Sequence, residues 1–241
     1  MANRTEPFTL DSITPHLQGF QCPQAELDPD GTWQHTYQVY TLTGRGGRVG
    51  ILNLHRRNTE DRKILLEVNY RKFLPGRHTQ LVLGSIQCRD ETLATPLAWK
   101  FSSVVRNPQG KPVPHTSLET SAVKEGLTIV FKDGQTVRRI HKPNEYTVNW
   151  VLFDVVQRLP RKQGRALSFT LLDHFDQVKP NQTLAYHGEQ EVRLQDTEVR
   201  LHRFDQLGEG VVPWVYWVDA SGRLLYVVSG LEAYILDAFP E

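Results

Sequence analysis

The fold is decided by one apolar run, NWVLFDVVQRL, at residues 149–159. Its large apolar residues recur at steps of three: Trp150, Phe153, Val156 and Leu159. Val151 and Val155 add a second apolar row, and two adjacent rows of this kind are typical of a buried helix. Pro160 ends the run, because proline cannot continue a helix. We therefore predict one buried helix over residues 150–159.

Most of the remaining chain has the pattern of β-strands, with aromatic and β-branched residues between glycine- and proline-containing turns. In the first half the predicted strands cover residues 33–43, 49–55, 64–70, 80–88, 97–105, 120–124, 127–132 and 135–140. In the second half they cover residues 166–172, 182–186, 189–195, 198–204, 214–218 and 224–229. Strands at spacings of about 8–12 residues with turns between them predict an antiparallel meander.

The composition indicates the class of protein and excludes some kinds of partner. With 241 residues, 39% hydrophobic and 23% charged, the chain has the composition of a globular protein. Its net charge of +1 lacks the basic excess typical of nucleic-acid binding, so no nucleic-acid partner is expected. No apolar run approaches the roughly 18 residues of a membrane span. We predict a polar N-terminal segment at residues 1–30 and a single β-rich domain at residues 31–238, with a soft boundary near residues 106–115.

Cellular location and cysteine chemistry stay open at this point. Cys22 and Cys88 are the only cysteines, and they could form one disulfide in an exported protein or remain thiols in a cytosolic one. Residues 1–9 contain no apolar stretch typical of a secretory leader. We expect the periplasm or cell envelope if a leader has been removed, and the cytoplasm otherwise. No zinc motif is present, and neither a metal nor a cofactor is predicted.

A resemblance to a known family rests on the order of several short motifs. These are Leu159-Pro160, SFTLL at residues 168–172, YHGEQEV at residues 186–192, YWVD at residues 216–219, GRLL at residues 222–225, and YQVY at residues 37–40 leading to Gly50. This order, over residues 33–236, resembles a bacterial envelope family of unknown function with a lipoprotein-carrier-like half-barrel. The resemblance implies a strongly curved antiparallel sheet wrapped around helical insertions, and it supplies no catalytic residue.

We therefore predict a mainly β fold: a strongly curved antiparallel sheet, as a half-barrel or open barrel, wrapped around one central helix. Large amphipathic rings concentrate in the last hundred residues, where they suit either a core or an apolar ligand groove. The leading hypothesis is a binding or carrier protein for a hydrophobic or amphiphilic ligand, such as a lipid, held between sheet and helix. The expected lining residues are Trp150, Phe153, Tyr186, Trp214 and Trp217.

Two other functions remain open. An enzyme could use polar side chains in the same cavity, because histidines and carboxylates serve as general bases or metal ligands. The candidates are Asp173 and His174, from the titratable cluster Asp173-His174-Phe175-Asp176, together with His187, Arg200 and His202. No nucleophile elbow or zinc-hydrolase motif supports catalysis, and solvent-facing polar residues are the commoner case. A protein-interaction module would instead carry a large exposed aromatic patch. The oligomeric state does not follow from the sequence.

Overall fold

A computed structural model describes residues 10, 13–17, 20–23, 25–43, 46–174, 177–194 and 197–237. Its first eight strands are β1 (Trp33–Thr41), β2 (Gly47–Thr59), β3 (Lys63–Leu74), β4 (His78–Arg89), β5 (Pro96–Arg106), β6 (Leu118–Glu125), β7 (Thr128–Asp133) and β8 (Thr136–His141). The others are β9 (Tyr146–Val148), β10 (Ala166–Asp173), β11 (Gln177–Leu194), β12 (Thr197–Leu207), β13 (Trp214–Val218), β14 (Leu224–Ser229) and β15 (Glu232–Leu236). The helix α1 spans Val151–Arg158, and single 3₁₀ turns occupy Thr14–His16 and Pro75–Arg77.

These strands form one fifteen-stranded sheet. The chain runs outward from β1 to β8, returns from the opposite edge through β9 to β15, and pairs β15 with β1. The sheet is curved and open, with β8 and β9 at its two edges. The predicted mainly β fold, with a curved sheet around one helix, is confirmed.

The helix α1 lies inside the concavity of the sheet. Its residues 151–157 are all buried. The ring of Phe153 makes edge contacts with Tyr37 on β1 and Tyr234 on β15, both at 5.5 Å between ring centroids. Such edge-to-face contacts add to the energy of apolar burial. The predicted helix over residues 150–159 therefore agrees with the structure to within one residue at each end.

One pair of strands departs from the predicted antiparallel meander. Among the described strands, β9 and β10 form the only parallel pair. Parallel neighbours need a crossover connection, and α1 with its flanking loops provides it. The other pairs of described strands are antiparallel, as predicted. Neither β9 nor β15, strands of three and five residues, was among the predicted strands.

Strand β11 corrects a second prediction. Residues 182–186 and 189–195 were predicted as two separate strands, but one strand spans Gln177–Leu194; residue 195 lies outside the described residues. The register shifts between Tyr186 and Gly188, where Gly188 has a φ of 132°, so the strand continues through a bulge. Pro180 lies within a second register shift, between Lys179 and Gln182, where a proline is tolerated within a sheet.

A buried ion cluster fastens α1 to the sheet. Nε of Arg56, on β2, lies 2.7 Å from Oδ1 of Asp154, and Nη2 of Arg158 lies 2.7 Å from Oδ2. Arg56 also donates to the backbone carbonyl groups of Asp30 and Gly31, which joins the N-terminal segment to the same cluster. Burial raises the pKa of the Asp154 carboxyl, while the two guanidinium groups act in the opposite direction. Three parts of the chain are thus held at one carboxylate.

Because of a buried histidine on β1, we expect the free energy of unfolding to fall at acidic pH. Nε2 of His35 lies 3.1 Å from Oε1 of Gln157 on α1, and burial lowers the pKa of His35 to about 4. The unfolded chain binds this proton near pH 6.5, so the free energy of unfolding should fall by about 3 kcal/mol between pH 6.5 and pH 4. Urea unfolding across this range should show that dependence, and His35→Gln should reduce it. An equal pH dependence in the variant would contradict the assignment.

Candidate functional site

The best candidate site is a cavity of about 380 Å³ at the N-terminal end of α1, on the concave face of the sheet. We name it the tryptophan cavity. Its apolar walls include Tyr70, Val82, Phe101, Trp150, Trp214 and Tyr234. Its polar lining includes Lys72, Gln80, Ser103, Thr120, Asn149 and Glu232. An apolar cavity with a few polar groups has the character of a small-molecule site.

The aromatic walls are held in place by contacts with one another. Trp150 directly precedes α1 and lies 6.3 Å from Tyr70 and 5.6 Å from Phe101, measured between ring centroids. Trp214 begins β13 and stacks on Tyr234 of β15 at 5.8 Å. Rings from a helix and from both halves of the sheet therefore meet around one space, which is formed by packing between distant parts of the chain.

Two glycines under the rings make room for this wall. A Cβ atom at Gly50 would lie 2.8 Å from Cε2 of Tyr70, and one at Gly84 would overlap Cε1 and Cδ1 of Phe101. Neither glycine has a positive φ. The requirement at both positions is therefore space, in agreement with the close approach that a strand glycine often marks.

The polar lining of the cavity contains one ion pair. Nζ of Lys72 lies 2.9 Å from Oε1 of Glu232, and the Tyr234 hydroxyl donates to Oε2 of the same carboxylate at 2.9 Å. The Tyr70 hydroxyl is buried and has no hydrogen-bond partner among the described residues. Burial, and then the Glu232 carboxylate, raise the pKa of Tyr70. This hydroxyl therefore keeps its proton and can act as a donor.

A smaller cavity of about 260 Å³ continues from the tryptophan cavity towards β7 and β8. Leu118, Thr120 and His174 line both spaces. At the far end the guanidinium carbon of Arg138 lies 4.5 Å from the centroid of the Phe131 ring. The two spaces together form an amphipathic groove along the concave face.

The structure brings together two of the five residues predicted to line a ligand site. Trp150 and Trp214 line the tryptophan cavity, and Phe153 is buried behind it, 6.5 Å from the Trp214 ring. Trp217 is buried elsewhere and donates from Nε1 to Oε1 of Gln190 at 2.9 Å. The Tyr186 hydroxyl lies 3.0 Å from Nδ1 of His202, away from this cavity.

Three aromatic residues of the wall were not predicted: Tyr70, Phe101 and Tyr234. Tyr70 and Phe101 lie on predicted strands, but the sequence does not distinguish them from other aromatic residues on strands. Tyr234 lies on β15, which was not predicted as a strand. Their convergence depends on the pairing of distant strands.

The five polar candidates lie in three separate places. His174, whose Nε2 is 3.9 Å from Oδ1 of Asp173, is at the end of the tryptophan cavity. His187 lies 3.3 Å from Asp205, while Arg200 and His202 lie 3.6 and 3.7 Å from Glu189. Burial lowers the pKa of His202. Phe175 and Asp176 lie outside the described residues.

The described residues contain neither a group of three or more side chains placed to hold a metal ion nor a disulfide between Cys22 and Cys88. A helix of the length and apolar character that a membrane crossing requires is also absent from them.

Comparison with known proteins places the fold among β-barrel-like proteins. The sequence matches no protein-family model and no curated protein. The chain is similar to the crystal structure of a β-barrel-like protein of a domain of unknown function, DUF1849, from Brucella abortus. The TM-score is 0.55 at 8% sequence identity, over 86% of this chain and 96% of that chain. At this identity the likeness shows the fold alone.

Proposed function

We propose that the protein binds a hydrophobic or amphiphilic small molecule in the tryptophan cavity and acts as a binding or carrier protein for it. The observation that supports this most strongly is the aromatic-walled cavity of about 380 Å³ between the curved sheet and α1. Small-molecule pockets range over about 300–1,000 Å³, and they combine mostly apolar walls with a few placed polar groups.

Most wall side chains of the cavity are already fixed by packing, which favours ligand binding. Tyr70, Phe101 and Tyr234 are almost completely buried by their packing, whereas Trp150 and Trp214 keep part of their surface exposed. A ligand would cover this remaining tryptophan surface, and each Å² of apolar area removed from water contributes about 25 cal/mol. Because the other rings are already fixed, little conformational entropy is lost when the ligand binds.

A lipid is the ligand type that we propose first, and the bacterial envelope is the proposed place of action. Both proposals rest on the resemblance to the half-barrel family of envelope proteins. The likeness in fold to a β-barrel-like protein is compatible with them.

Native mass spectrometry after gentle purification tests the function directly. We expect an apolar molecule to co-purify, or a panel of lipids to raise the melting temperature, because a ligand that binds only the folded state stabilises it. The neutral dye Nile red should bind and be displaced by the same lipids. Absence of co-purifying lipid, thermal shift and dye binding together would overturn the proposal.

We expect a substitution that fills the tryptophan cavity to weaken ligand binding. Val82 lines the tryptophan cavity, so the ring of Val82→Phe should occupy the ligand volume and weaken Nile red binding by about tenfold or more, equivalent to about 1.4 kcal/mol. Leu83→Phe is the matched control, because the next residue of a strand faces the opposite side of the sheet and Leu83 is 51% exposed. Dye titration of both variants checks this. Equal affinities would place the binding site elsewhere.

A further inference from the structure

We infer that the Lys72–Glu232 ion pair makes the tryptophan cavity selective for uncharged ligands that carry a hydrogen-bond-accepting oxygen, such as an ester carbonyl. This inference rests on the proposed function and names the chemical class of its ligand. Two observations support it: the charge balance of the cavity, and the hydrogen bonds that its polar groups already make.

The charges that line the cavity cancel. Among the described lining residues, the side chains with a full charge are Lys72 and Glu232, leaving aside the imidazole of His174. Nζ of Lys72 lies 2.9 Å from Oε1 of Glu232. Their side chains are 36% and 23% exposed, so a bound ligand would take the pair further out of water. An anionic headgroup would then face the Glu232 carboxylate and a cationic one the Lys72 ammonium. Either would remain an uncompensated charge, which a low-dielectric site disfavours.

Two groups at the Lys72–Glu232 end of the cavity have hydrogen-bond donors that the protein does not use. Both oxygens of Glu232 are already engaged, by Lys72 and by the Tyr234 hydroxyl. The Lys72 ammonium has three N–H groups, and Glu232 takes one of them. The Tyr70 hydroxyl is buried and without a partner among the described residues. A ligand that completes these groups supplies an acceptor, and the charge balance requires that acceptor to be neutral.

This placement also orients the ligand. Tyr70 and Lys72 project from the same face of β3, since they are two residues apart. The accepting oxygen would lie at this end of the cavity, and the apolar part would extend along Phe101 and Trp150 towards Leu118. Leu118 is where the cavity continues into the neighbouring space.

Three ligands of equal chain length test the inference: a fatty-acid methyl ester, the free fatty acid and the alkyltrimethylammonium ion. Displacement of Nile red below the micelle concentration measures the affinity of each. The parent protein should prefer the ester to both charged ligands by about tenfold or more. Glu232→Gln should raise the affinity for the fatty acid about tenfold, because the Lys72 ammonium is then uncompensated. Lys72→Met should raise the affinity for the alkylammonium in the same way, and it should weaken ester binding, because one of the two proposed donors to the ester oxygen is removed.

Controls with the same change in net charge are available on the outer face of the sheet. Glu67→Gln on β3 and Lys100→Met on β5 should leave the order of the three affinities as in the parent protein. If the ester binds the parent protein, but the acid-to-ester ratio is unchanged in Glu232→Gln and the affinity for the alkylammonium is unchanged in Lys72→Met, the inference is wrong and the proposed function stands. If none of the three ligands binds the parent protein, the proposed function fails and the inference with it.

Discussion

Replacing Asp154 with alanine is expected to lower the free energy of unfolding by about 3–5 kcal/mol. The side chain of Asp154 is 1% exposed and lies 2.7 Å from both Arg56 and Arg158. Arg56 is completely buried, so it cannot turn to water when its carboxylate is removed. The energy arises mainly from the buried guanidinium group that is left without a counter-charge. Since a domain of this kind is stable by only about 5–15 kcal/mol, the loss would be a large part of the total.

Urea denaturation followed by tryptophan fluorescence measures this loss. The double variant Arg56→Met with Asp154→Leu removes the Asp154 carboxylate together with the completely buried Arg56 guanidinium, and it leaves Arg158, whose side chain is 9% exposed. It should therefore be less destabilised than Asp154→Ala alone. Glu67→Gln provides a surface comparison, because Glu67 contacts His55 and Arg57 in half-exposed pairs. This substitution should lower the free energy of unfolding by less than about 1 kcal/mol. If Asp154→Ala costs no more than Glu67→Gln, the cluster does not hold the helix in place.

Gly84→Ala is expected both to destabilise the protein by about 1–3 kcal/mol and to abolish Nile red binding. The new methyl group would occupy the position of the Phe101 ring, which lies directly over Gly84. Gly84 and Phe101 are paired across β4 and β5, so backbone movement away from the clash would break the ladder. The ring must therefore move, and the open side available to it is the tryptophan cavity.

Stability and dye binding should be measured together for this variant. Gly47→Ala is the control, because a Cβ atom there has no neighbour within 4 Å, and its unfolding free energy should change by less than about 1 kcal/mol. Phe101→Leu leaves a smaller side chain above Gly84, so the two substitutions should be non-additive in a double-mutant cycle. Additive free energies would show that the alanine and the ring do not compete for the same space.

Local patterns were sufficient for much of the fold. The apolar steps from Trp150 to Leu159 and the terminating Pro160 define the helix, because a helix buries residues at intervals of three and four. Most strands were predicted from alternation and turn residues for the same local reason. No strand was predicted at residues 177–181, which belong to β11, where a bulge accommodates the polar sequence around Pro180.

The candidate site was only partly accessible to sequence reasoning. Trp150 and Trp214 were selected as large amphipathic rings near the helix, and they line the same cavity. Tyr186 and Trp217 belong to the same residue types, yet they lie elsewhere. Residue type does not distinguish these positions. The difference depends on which strands neighbour the N-terminal end of α1, and that neighbourhood is a property of the complete sheet.

The sequence by itself therefore determined a mainly β chain with one buried helix, because side-chain periodicity reflects which face of each element is apolar. Only the tertiary structure decided that β15 pairs with β1, that β9 and β10 are parallel, and that Lys72 meets Glu232 across the sheet. Backbone hydrogen bonds are the same for every strand, so they do not specify a partner. The partner is chosen by packing over the whole core, here by rings that need Gly50 and Gly84 beneath them and by an Asp154 carboxylate that needs Arg56.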